Sequence, residues 1–249
     1  MRKRVIMGDP HGRWGAVSHI YLTEKPDDVI ILGDYFDSFD IHPIDQKMCY
    51  DNIINLKKMH EDKCGADSFI LLIGNHDMHY LTDYNGQHSG YNFETVTIAG
   101  YRIERDICNK QLRYVYIDKL NRTIYSHAGV SMKWLEKWCD GKIENINNDM
   151  SYHAFEFTYR DNGDFFGSSV YNGPTWIRPE GLMKSPYKDE LGVWNQVFGH
   201  TESLSPKRFA CEDSGLFCID CITRCYMVEM IDDDGKIISR ELVDNKMFC

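Results

Sequence analysis

Short apolar runs alternate along this chain with polar clusters that are rich in Gly, Asp, Asn and His. Five of the runs have the length and composition of buried strands, and each ends abruptly in such a cluster. They cover residues 4–7, 29–32, 69–73, 123–125 and 196–198. Apolar residues between the runs follow a helical period, so the pattern predicts an α/β fold. The polar clusters are then expected at the carboxyl ends of strands, where open α/β sheets bind ligands.

Three stretches between the strands are predicted to be helices. One begins near Trp14, Pro43 suits the first turn of the second, and Ser131 suits the N-cap of the third. The helical period indicates which side chains face the core. They are Trp14, Val17, Ile20 and Tyr21 in the first helix, Met48, Cys49, Ile53, Leu56 and Met59 in the second, and Trp134, Leu135 and Trp138 in the third.

The polar clusters are spread over most of the 249 residues, so a division into two domains would separate them. We therefore predict a single domain over residues 1–249. Residues 82–118, with strand-like stretches at 95–98 and 113–117, are expected to form an insertion at the rim of the site. Residues 140–195 are polar with little periodicity, which is typical of a cap that faces the substrate.

Composition narrows the function classes. The net charge of −10 and the isoelectric point near 5.4 argue against general affinity for nucleic acid, which needs a basic surface. No apolar run reaches the roughly 18 residues of a membrane span, and the first run is too short for a signal peptide. Nine cysteines without a secretion signal indicate reduced thiols and a cytoplasmic protein. Residues 216–222 and 225–231 are predicted to pair as a late hairpin that buries several of these cysteines.

Six residues of the polar clusters are candidate metal ligands: Asp9, His11, Asp34, Asn75, His127 and His200. They offer carboxylate, imidazole and amide donors without thiolate, a set that suits Mn, Fe or Zn better than a sulfur-rich structural zinc site. A tetrahedral ion binds fewer ligands than this set contains, so we predict two divalent ions that share a bridging carboxylate. The pattern therefore indicates a metal-dependent hydrolase.

In chain order the clusters read GDPHG at 8–12, GDYFD at 33–37, GNHD at 74–77, SHAG at 126–129 and GHT at 199–201. This series resembles the calcineurin-like metallophosphoesterase superfamily. Within it, the chain is most similar to the phosphoprotein-phosphatase branch and its bacterial and phage relatives, including the diadenosine tetraphosphatases. The resemblance implies an α/β fold of four layers, an αββα sandwich with the site at the carboxyl-terminal ends of the strands.

The resemblance also implies how the six ligands divide between two ions, with manganese favoured and iron or zinc as alternatives. Asp34 would bridge the ions, and the remaining ligands would be Asp9 and His11 on the first ion and Asn75, His127 and His200 on the second. A hydroxide that bridges the metals would attack the phosphorus.

A proton donor for the leaving group is implied in the same way. His76 follows the ligand Asn75 and would protonate the leaving-group oxygen, while Asp37 would orient the imidazole. The residue types agree with this role, because a His–Asp pair is a common proton donor in enzymes. Asp77 is expected to anchor its loop through backbone hydrogen bonds rather than to bind metal.

The chain departs from the phosphoprotein-phosphatase pattern at the phosphate-binding arginine. The pattern has Asp-Arg-Gly where this chain has Asp37-Ser38-Phe39, so another cation is expected to contact the substrate phosphate. Arg178 is the first candidate, since similar Trp-Ile-Arg elements occur in bacterial members, and Arg13 is the second. Arginine suits the role because it binds phosphate oxygens in a bidentate manner.

These features predict a di-metal phosphoesterase that acts on a phosphorylated substrate, either a phosphoprotein or a nucleotide. A phosphomonoesterase of the protein-phosphatase type is the first interpretation. A dinucleoside polyphosphate or nucleotide hydrolase is the second, followed by a nuclease or cyclic-nucleotide phosphodiesterase. The last motif lacks the second histidine of many phosphodiesterases. A non-catalytic binding scaffold is the remaining alternative, and it would be expected to lose ligands that this chain retains.

Overall fold

Two β-sheets pack face to face in this protein, for which a computed structural model describes residues 1–81, 89–147, 164, 166–202, 207–211, 214–220 and 222–245. The first sheet contains, in spatial order, β13 (Ile237–Asp244), β12 (Cys225–Ile231), β1 (Arg2–Met7), β2 (Asp28–Ile31), β3 (Phe69–Leu72) and β4 (Leu112–Arg113). The second contains β10 (Lys207–Cys211), β11 (Ser214–Cys218), β9 (Asn195–Phe198), β6 (Thr123–Ser126) and β5 (Val115–Asp118). A separate two-stranded sheet consists of β7 (Lys188–Asp189) and β8 (Gly192–Val193).

Parallel pairing brings the carboxyl ends of the central strands to one edge of each sheet. Strands β1 to β4 pair in parallel in the first sheet, and β6, β9 and β11 do so in the second. The outer strands β12, β13, β5 and β10 pair antiparallel. All five predicted strands are confirmed, and each is one of these parallel strands.

The helices are α1 (Trp14–Glu24), α2 (Pro43–Cys64), α3 (Asn75–Met78), α4 (Phe93–Thr95), α5 (Tyr101–Cys108), α6 (Met132–Trp138) and α7 (Pro179–Lys184). A π-helical turn at Val96–Gly100 joins α4 to α5, and a 3₁₀-helix covers Ile143–Asn147. The three predicted helix starts at Trp14, Pro43 and Ser131 are confirmed. Within the described residues, no helix combines the length and apolar character that a membrane crossing requires.

Alternation along the strands builds three separate cores. Val5 of β1 points outward to a core that α1 and α2 share, whereas its neighbour Ile6 points inward to the core between the sheets. A third core lies on the outer face of the second sheet, where Leu182 of α7 packs with Phe198 and Leu216. Helices therefore cover the outer faces of two stacked sheets, which is the four-layer αββα sandwich expected from the resemblance.

The buried face of α2 differs from the predicted one. Met48 and Met59 are 56% and 70% exposed, and the core face instead includes polar residues such as Gln46 and Lys57. Gln46 donates its amide to the backbone oxygen of Ile41 at 2.7 Å, and the Lys57 ammonium lies 2.6 Å from the carbonyl oxygen of Phe69. The apolar pattern was misleading because these buried polar groups are satisfied by backbone partners that the sequence does not reveal.

Three further local predictions are wrong. The strand-like residues 95–98 belong to α4 and the π-helical turn, and Trp138 at the end of α6 is 39% exposed rather than core. The late hairpin does not form, because β11 and β12 lie in different sheets. Residues 219–220 and 222–224 instead belong to the connection from the second sheet to the first. The rim insertion at 82–118 and the cap at 140–195 stay predictions, and residues 82–88, 148–163 and 165 lie outside the described residues.

A buried charged network joins the two sheets. Nη1 of Arg4 lies 3.0 Å from the carboxylate of Asp118, 3.0 Å from the hydroxyl of Tyr125 and 3.3 Å from the carboxylate of Glu229. Tyr125 donates to Glu229 at 2.6 Å, and Arg240 donates to the same carboxylate at 2.8 Å. The Glu229 side chain is fully buried, so its charge depends on these partners.

Replacing Arg4 by Met should lower the free energy of unfolding by about 3–5 kcal/mol, because removal of one partner leaves a buried charge poorly compensated. Urea unfolding followed by circular dichroism measures the change. Lys133→Met is the control: it removes an exposed ion pair with Glu136, and almost no change in the free energy of unfolding is expected because solvent screens that pair. Equal losses for the two variants would contradict a stabilising role for the network.

Candidate active site

The five polar clusters follow β1, β2, β3, β6 and β9, and the structure brings their side chains together between the two sheets. The carboxylate of Asp34, directly after β2, lies near the middle of the group. Its Oδ2 is 3.8 Å from Nε2 of His11 and 3.4 Å from Nε2 of His127. Asp34 thus contacts residues delivered by both sheets.

Asn75 and His200 extend the cluster on the side of the second sheet. Oδ1 of Asn75 is 2.9 Å from Nε2 of His127 and 2.8 Å from Nδ1 of His200. Asp9 closes the group, because its Oδ2 accepts the backbone N–H of His200 at 2.9 Å and its Oδ1 lies 3.9 Å from Nδ1 of His127. All six predicted ligands therefore converge on one place. Their division between two ions stays a prediction.

Unusual backbone geometry supports this convergence. His11, Asp34, Asp37 and His200 all occupy the left-handed region, with φ values of 42°, 58°, 66° and 63°. Such conformations are costly for residues other than glycine and collect at functional sites.

Two glycines allow the carboxylates to approach the chain closely. A Cβ at Gly74 would lie 2.0 Å from Oδ1 of Asp34, and a Cβ at Gly199 would lie 2.2 Å from Oδ1 of Asp9. Only glycine fits at either position without displacing a carboxylate, so both glycines help to set where the two acidic side chains lie.

Backbone carbonyls fix the orientation of two imidazoles. Nδ1 of His11 lies 2.5 Å from the carbonyl oxygen of Phe36, and Nδ1 of His127 lies 3.0 Å from that of Leu32. Because a carbonyl only accepts, Nδ1 carries the proton in each ring, and the lone pair of Nε2 is directed towards Asp34. This is the usual arrangement of metal-binding histidines.

The electrostatics of the cluster favour a bound cation. Burial, together with the charges of Asp220 and Asp34, raises the pKa of Asp9 well above its ordinary value, and burial likewise raises the pKa of Asp34. Burial lowers the pKa of His11 to about 4 and that of His127 to about 3, which keeps both rings neutral. Crowded buried carboxylates beside neutral imidazoles are stabilised when positive charge is added between them.

The donor atoms also fit a metal. Atoms of Asp9, Asp34 and His127 lie within 4.8 Å of one another, and Oδ1 of Asp9 is buried without a hydrogen bond from the described residues. Oxygen and nitrogen donors of this kind suit divalent ions of the Mn, Fe and Zn group. The residues present are therefore compatible with a divalent metal centre.

His76 and Asp37 form the pair that was expected to supply a proton. Nδ1 of His76 lies 2.8 Å from Oδ2 of Asp37, and the backbone N–H of His76 donates to Oδ1 of Asp34 at 2.9 Å. Burial lowers the pKa of His76, but the charges of Asp34 and Asp37 outweigh it and raise that pKa to about 9. The two neighbouring carboxylates therefore favour the protonated imidazole.

Asp77 anchors the loops around the cluster, as its position after the Gly-Asn-His sequence indicated. Its carboxylate accepts backbone N–H groups from Asp34, Tyr35 and Gly74 at 2.8, 2.8 and 2.9 Å. The side chain is fully buried, so three otherwise unsatisfied donors depend on it.

A cavity of about 380 Å³ opens beside the cluster, and Asp9, His11, Asp37 and His76 contribute to its wall. Sequence reasoning missed several other lining residues, namely Phe39, Asp40, Ser89, Glu202, Asp220, Thr223 and Arg224. The last three belong to the connection that crosses between the sheets. The one sequence signal for this part of the wall is the short Ile-Asp sequence at 219–220, which resembles a family element.

The two candidate arginines lie in different places. Arg13 lines the cavity, where its guanidinium is 2.8 Å from Asp40 and 3.2 Å from the carbonyl oxygen of His11. Arg178 precedes α7 and is not among the described residues that line the cavity. Its neighbour Trp176 nevertheless packs against His200, with ring centroids 5.4 Å apart.

The sequence pattern of the calcineurin-like phosphoesterases matches residues 3–216, which is most of the chain. A two-sheet sandwich with a cluster of metal-binding residues at the strand ends agrees with this match. The protein therefore belongs to the calcineurin-like phosphoesterase family, whose members depend on two metal ions, and it is a phosphoric ester hydrolase. A comparison with curated proteins finds no match.

Solved structures share the fold at low sequence identity. A cold-active protein tyrosine phosphatase is 18% identical with a TM-score of 0.63, over 98% of this chain and 80% of that chain. A protein serine/threonine phosphatase from Saccharomyces cerevisiae with similarity to human phosphatase PP5 is 14% identical with a TM-score of 0.60, over 98% and 79%. A candidate diadenosine tetraphosphatase is 14% identical with a TM-score of 0.52, over 99% and 95%. At these identities, the likeness establishes the fold alone.

Gly199→Ala should weaken divalent-metal affinity by about ten- to a hundredfold, because the added Cβ displaces the Asp9 carboxylate. Metal titration of the chelator-treated protein measures the effect. Gly15→Ala is the matched control, since a Cβ there has nothing within 4 Å. Unchanged affinity in Gly199→Ala would show that the position of Asp9 does not govern metal binding.

Proposed function

We propose that this protein hydrolyses phosphomonoesters as a protein phosphatase does, with two divalent metal ions and manganese as the first candidate. The hydrogen bond of 2.8 Å between His76 and Asp37, in the wall of the cavity beside the cluster, carries the proposal. A carboxylate bound at Nδ1 orients the ring and favours its protonated form, which is what a general acid requires.

The six clustered residues Asp9, His11, Asp34, Asn75, His127 and His200 would hold the ions. When bound, such ions neutralise phosphate oxygens and lower the pKa of a water molecule at the site. Of the two imidazoles that line the described cavity wall, His76 has a raised pKa and a carboxylate partner, whereas burial lowers the pKa of His11.

His76 would act on the leaving group. Water supplies the oxygen that bonds to phosphorus, and the bond from phosphorus to the leaving oxygen breaks with its electron pair on that oxygen. The proton on Nε2 of His76 transfers to the departing oxygen, and the imidazole then regains a proton from solvent. Asp37 remains charged throughout and holds the ring at Nδ1.

Arg13 is the cation best placed to contact the substrate phosphate in the absence of the usual arginine. It lines the cavity, and its hydrogen bond to the carbonyl oxygen of His11 keeps it beside the cluster. Arg178, the first candidate from the sequence, would have to act from outside the described wall of the cavity. Arginine binds phosphate through paired hydrogen bonds, so either residue has suitable chemistry.

A second candidate function is hydrolysis of a dinucleoside polyphosphate or another nucleotide. Phe39 lines the cavity while its side chain is 84% exposed, which leaves an aromatic face for a nucleobase. Base stacking on such a ring contributes about 1–3 kcal/mol. Faster turnover of diadenosine tetraphosphate than of phosphopeptides by the wild-type protein would favour this candidate. A nuclease is less suited to the chain, because its net charge of −10 offers little attraction for a polyanion.

His76→Ala should lower turnover of phosphopeptides by about 10²–10⁴-fold and leave metal content unchanged, because the residue acts as an acid and not as a ligand. The loss should be much smaller for 4-nitrophenyl phosphate, whose leaving group needs little protonation. Steady-state assays with both substrates, together with elemental analysis of bound metal, measure the effect.

Asp34→Asn is the comparison variant for this test. It removes a carboxylate that contacts both sides of the cluster, so it should lose metal and activity for every substrate alike. Equal losses for good and poor leaving groups in His76→Ala would rule out the acid role.

Arg13→Ala should raise the Michaelis constant for phosphorylated substrates by roughly ten- to a hundredfold, because a charged hydrogen bond contributes about 1.5–3 kcal/mol. Metal content should not change. Arg178→Ala tests the alternative cation. Arg2→Ala is the control, because Arg2 is the first residue of β1 and the site follows the opposite end of that strand. An effect confined to Arg178→Ala would transfer the phosphate-binding role to that residue.

A further inference from the structure

Three side chains from one short segment converge on the carboxylate of Asp37. Nδ1 of His76 lies 2.8 Å from Oδ2, and Nε2 of His79 lies 2.5 Å from the same oxygen. The hydroxyl of Tyr80 donates to the other oxygen, Oδ1. Both oxygens of Asp37 are therefore engaged, and His76 is only one of the three partners.

The two additional donors are fixed by their own surroundings. The hydroxyl of Tyr80 accepts the backbone N–H of Asn92 at 3.2 Å, and the Tyr80 ring stacks on Tyr91 with centroids 5.5 Å apart. His79 is fully buried and packs edge-on against both tyrosines, at centroid distances of 4.4 and 5.2 Å. Neither His79 nor Tyr80 is among the described residues that line the cavity. Tyr80 is connected to it through Asp37, and His79 is connected through Asp37 and through an edge-on contact with the His76 ring, at a centroid distance of 5.7 Å.

A lone carboxylate would orient an imidazole poorly. Rotation about the Cβ–Cγ bond of an aspartate has a broad energy profile, so the two oxygens can tilt away from a partner. Contacts at both oxygens oppose that rotation, since Tyr80 donates to Oδ1 while Nε2 of His79 lies against Oδ2. The Asp37 backbone itself lies in the left-handed region at φ 66°, which adds to the need for external support.

We propose that His79 and Tyr80 are positioning residues for the proton donor: they fix the carboxylate of Asp37 and thereby keep His76 aligned with the leaving-group oxygen. The inference rests on the proposed function, in which His76 is the general acid. The group that positions the proton donor then has four members instead of two: Asp37, His76, His79 and Tyr80. Misalignment of the acid should slow only those reactions that need proton transfer.

Three variants test the unit. Tyr80→Phe removes one hydroxyl and retains the ring packing, whereas His79→Leu removes the imidazole donor. His79→Gln is the rescue variant, because a glutamine amide can place an N–H close to the position of Nε2. Tyr226→Phe is the matched control, since that hydroxyl also donates to a carboxylate, of Glu24 at 2.7 Å, away from the described cavity wall.

We expect Tyr80→Phe and His79→Leu to lower turnover of phosphopeptides by about tenfold or more and that of 4-nitrophenyl phosphate by less than about threefold, because only the first reaction depends on the acid. Metal content and the Michaelis constant should not change. His79→Gln should recover most of the lost turnover, and Tyr226→Phe should behave as the wild type. In a His76→Ala background, Tyr80→Phe should have no further effect, because the residue that it positions is absent.

Other outcomes would overturn the inference. Equal losses for both substrates, or an undiminished effect in the His76→Ala background, would mean that the residues do not act through His76. Loss of a metal equivalent in His79→Leu would mean that Asp37, His76 and His79, whose ligand atoms lie within 4.8 Å, hold an ion instead. If His79→Leu does not fold, Tyr80→Phe decides the question.

The same experiment separates this inference from the proposed function. If His76→Ala shows no dependence on the leaving group, the acid role itself fails, and the positioning role fails with it. If His76→Ala shows that dependence while Tyr80→Phe and His79→Leu do not, only the positioning role fails.

Discussion

The structure depends on the position of one buried carboxylate, that of Asp34. Its backbone N–H is held by Asp77, its Oδ1 accepts the backbone N–H of His76, and its Oδ2 faces imidazoles that follow β1 and β6. Loops from both sheets therefore meet around this carboxylate. A buried carboxylate is costly unless positive charge or hydrogen bonds compensate it, so the surrounding loops have little freedom in how they fold.

The histidines around Asp34 fall into two groups according to the partner of Nδ1. Nδ1 of His11 and of His127 is bound to a backbone carbonyl, which leaves neutral rings with Nε2 directed to Asp34. Nδ1 of His76 is bound to a carboxylate, which favours the cation. The partner of Nδ1 thus distinguishes the neutral imidazoles from the one whose protonated form is favoured, which is the distinction that the proposed roles require.

The connection from β11 to β12 forms part of the cavity wall. Because it crosses between the sheets, it brings Asp220, Thr223 and Arg224 to the cavity, opposite residues that follow β2 such as Phe39. Arg224 is a second exposed cation in a cavity that lacks the usual arginine of the phosphoprotein-phosphatase pattern. The cavity wall therefore includes residues outside the five polar clusters, and family membership defines the chemistry but not the substrate.

Local sequence was enough to predict most secondary-structure elements of the site and the polar side chains that converge there. A strand followed by a Gly-containing polar cluster is a local signal, so the five strands, the starts of α1, α2 and α6, and the six polar side chains that converge could be predicted. The errors arose where partners distant in sequence decide. Gln46 and Lys57 are buried because backbone carbonyls of other segments satisfy them, and β11 and β12 separate because each finds a better partner in a different sheet.

Only the tertiary structure could reveal the surroundings of Asp37. His79 and Tyr80 meet its carboxylate across about forty residues of sequence, and Asn92 and Tyr91 then hold Tyr80 in place. Nothing in the spacing of these residues indicates a shared partner, because a hydrogen bond depends on distance and angle in the folded chain. The sequence by itself thus determined which polar side chains meet at the strand ends, whereas packing decided what orients them and which side chains form the wall of the cavity.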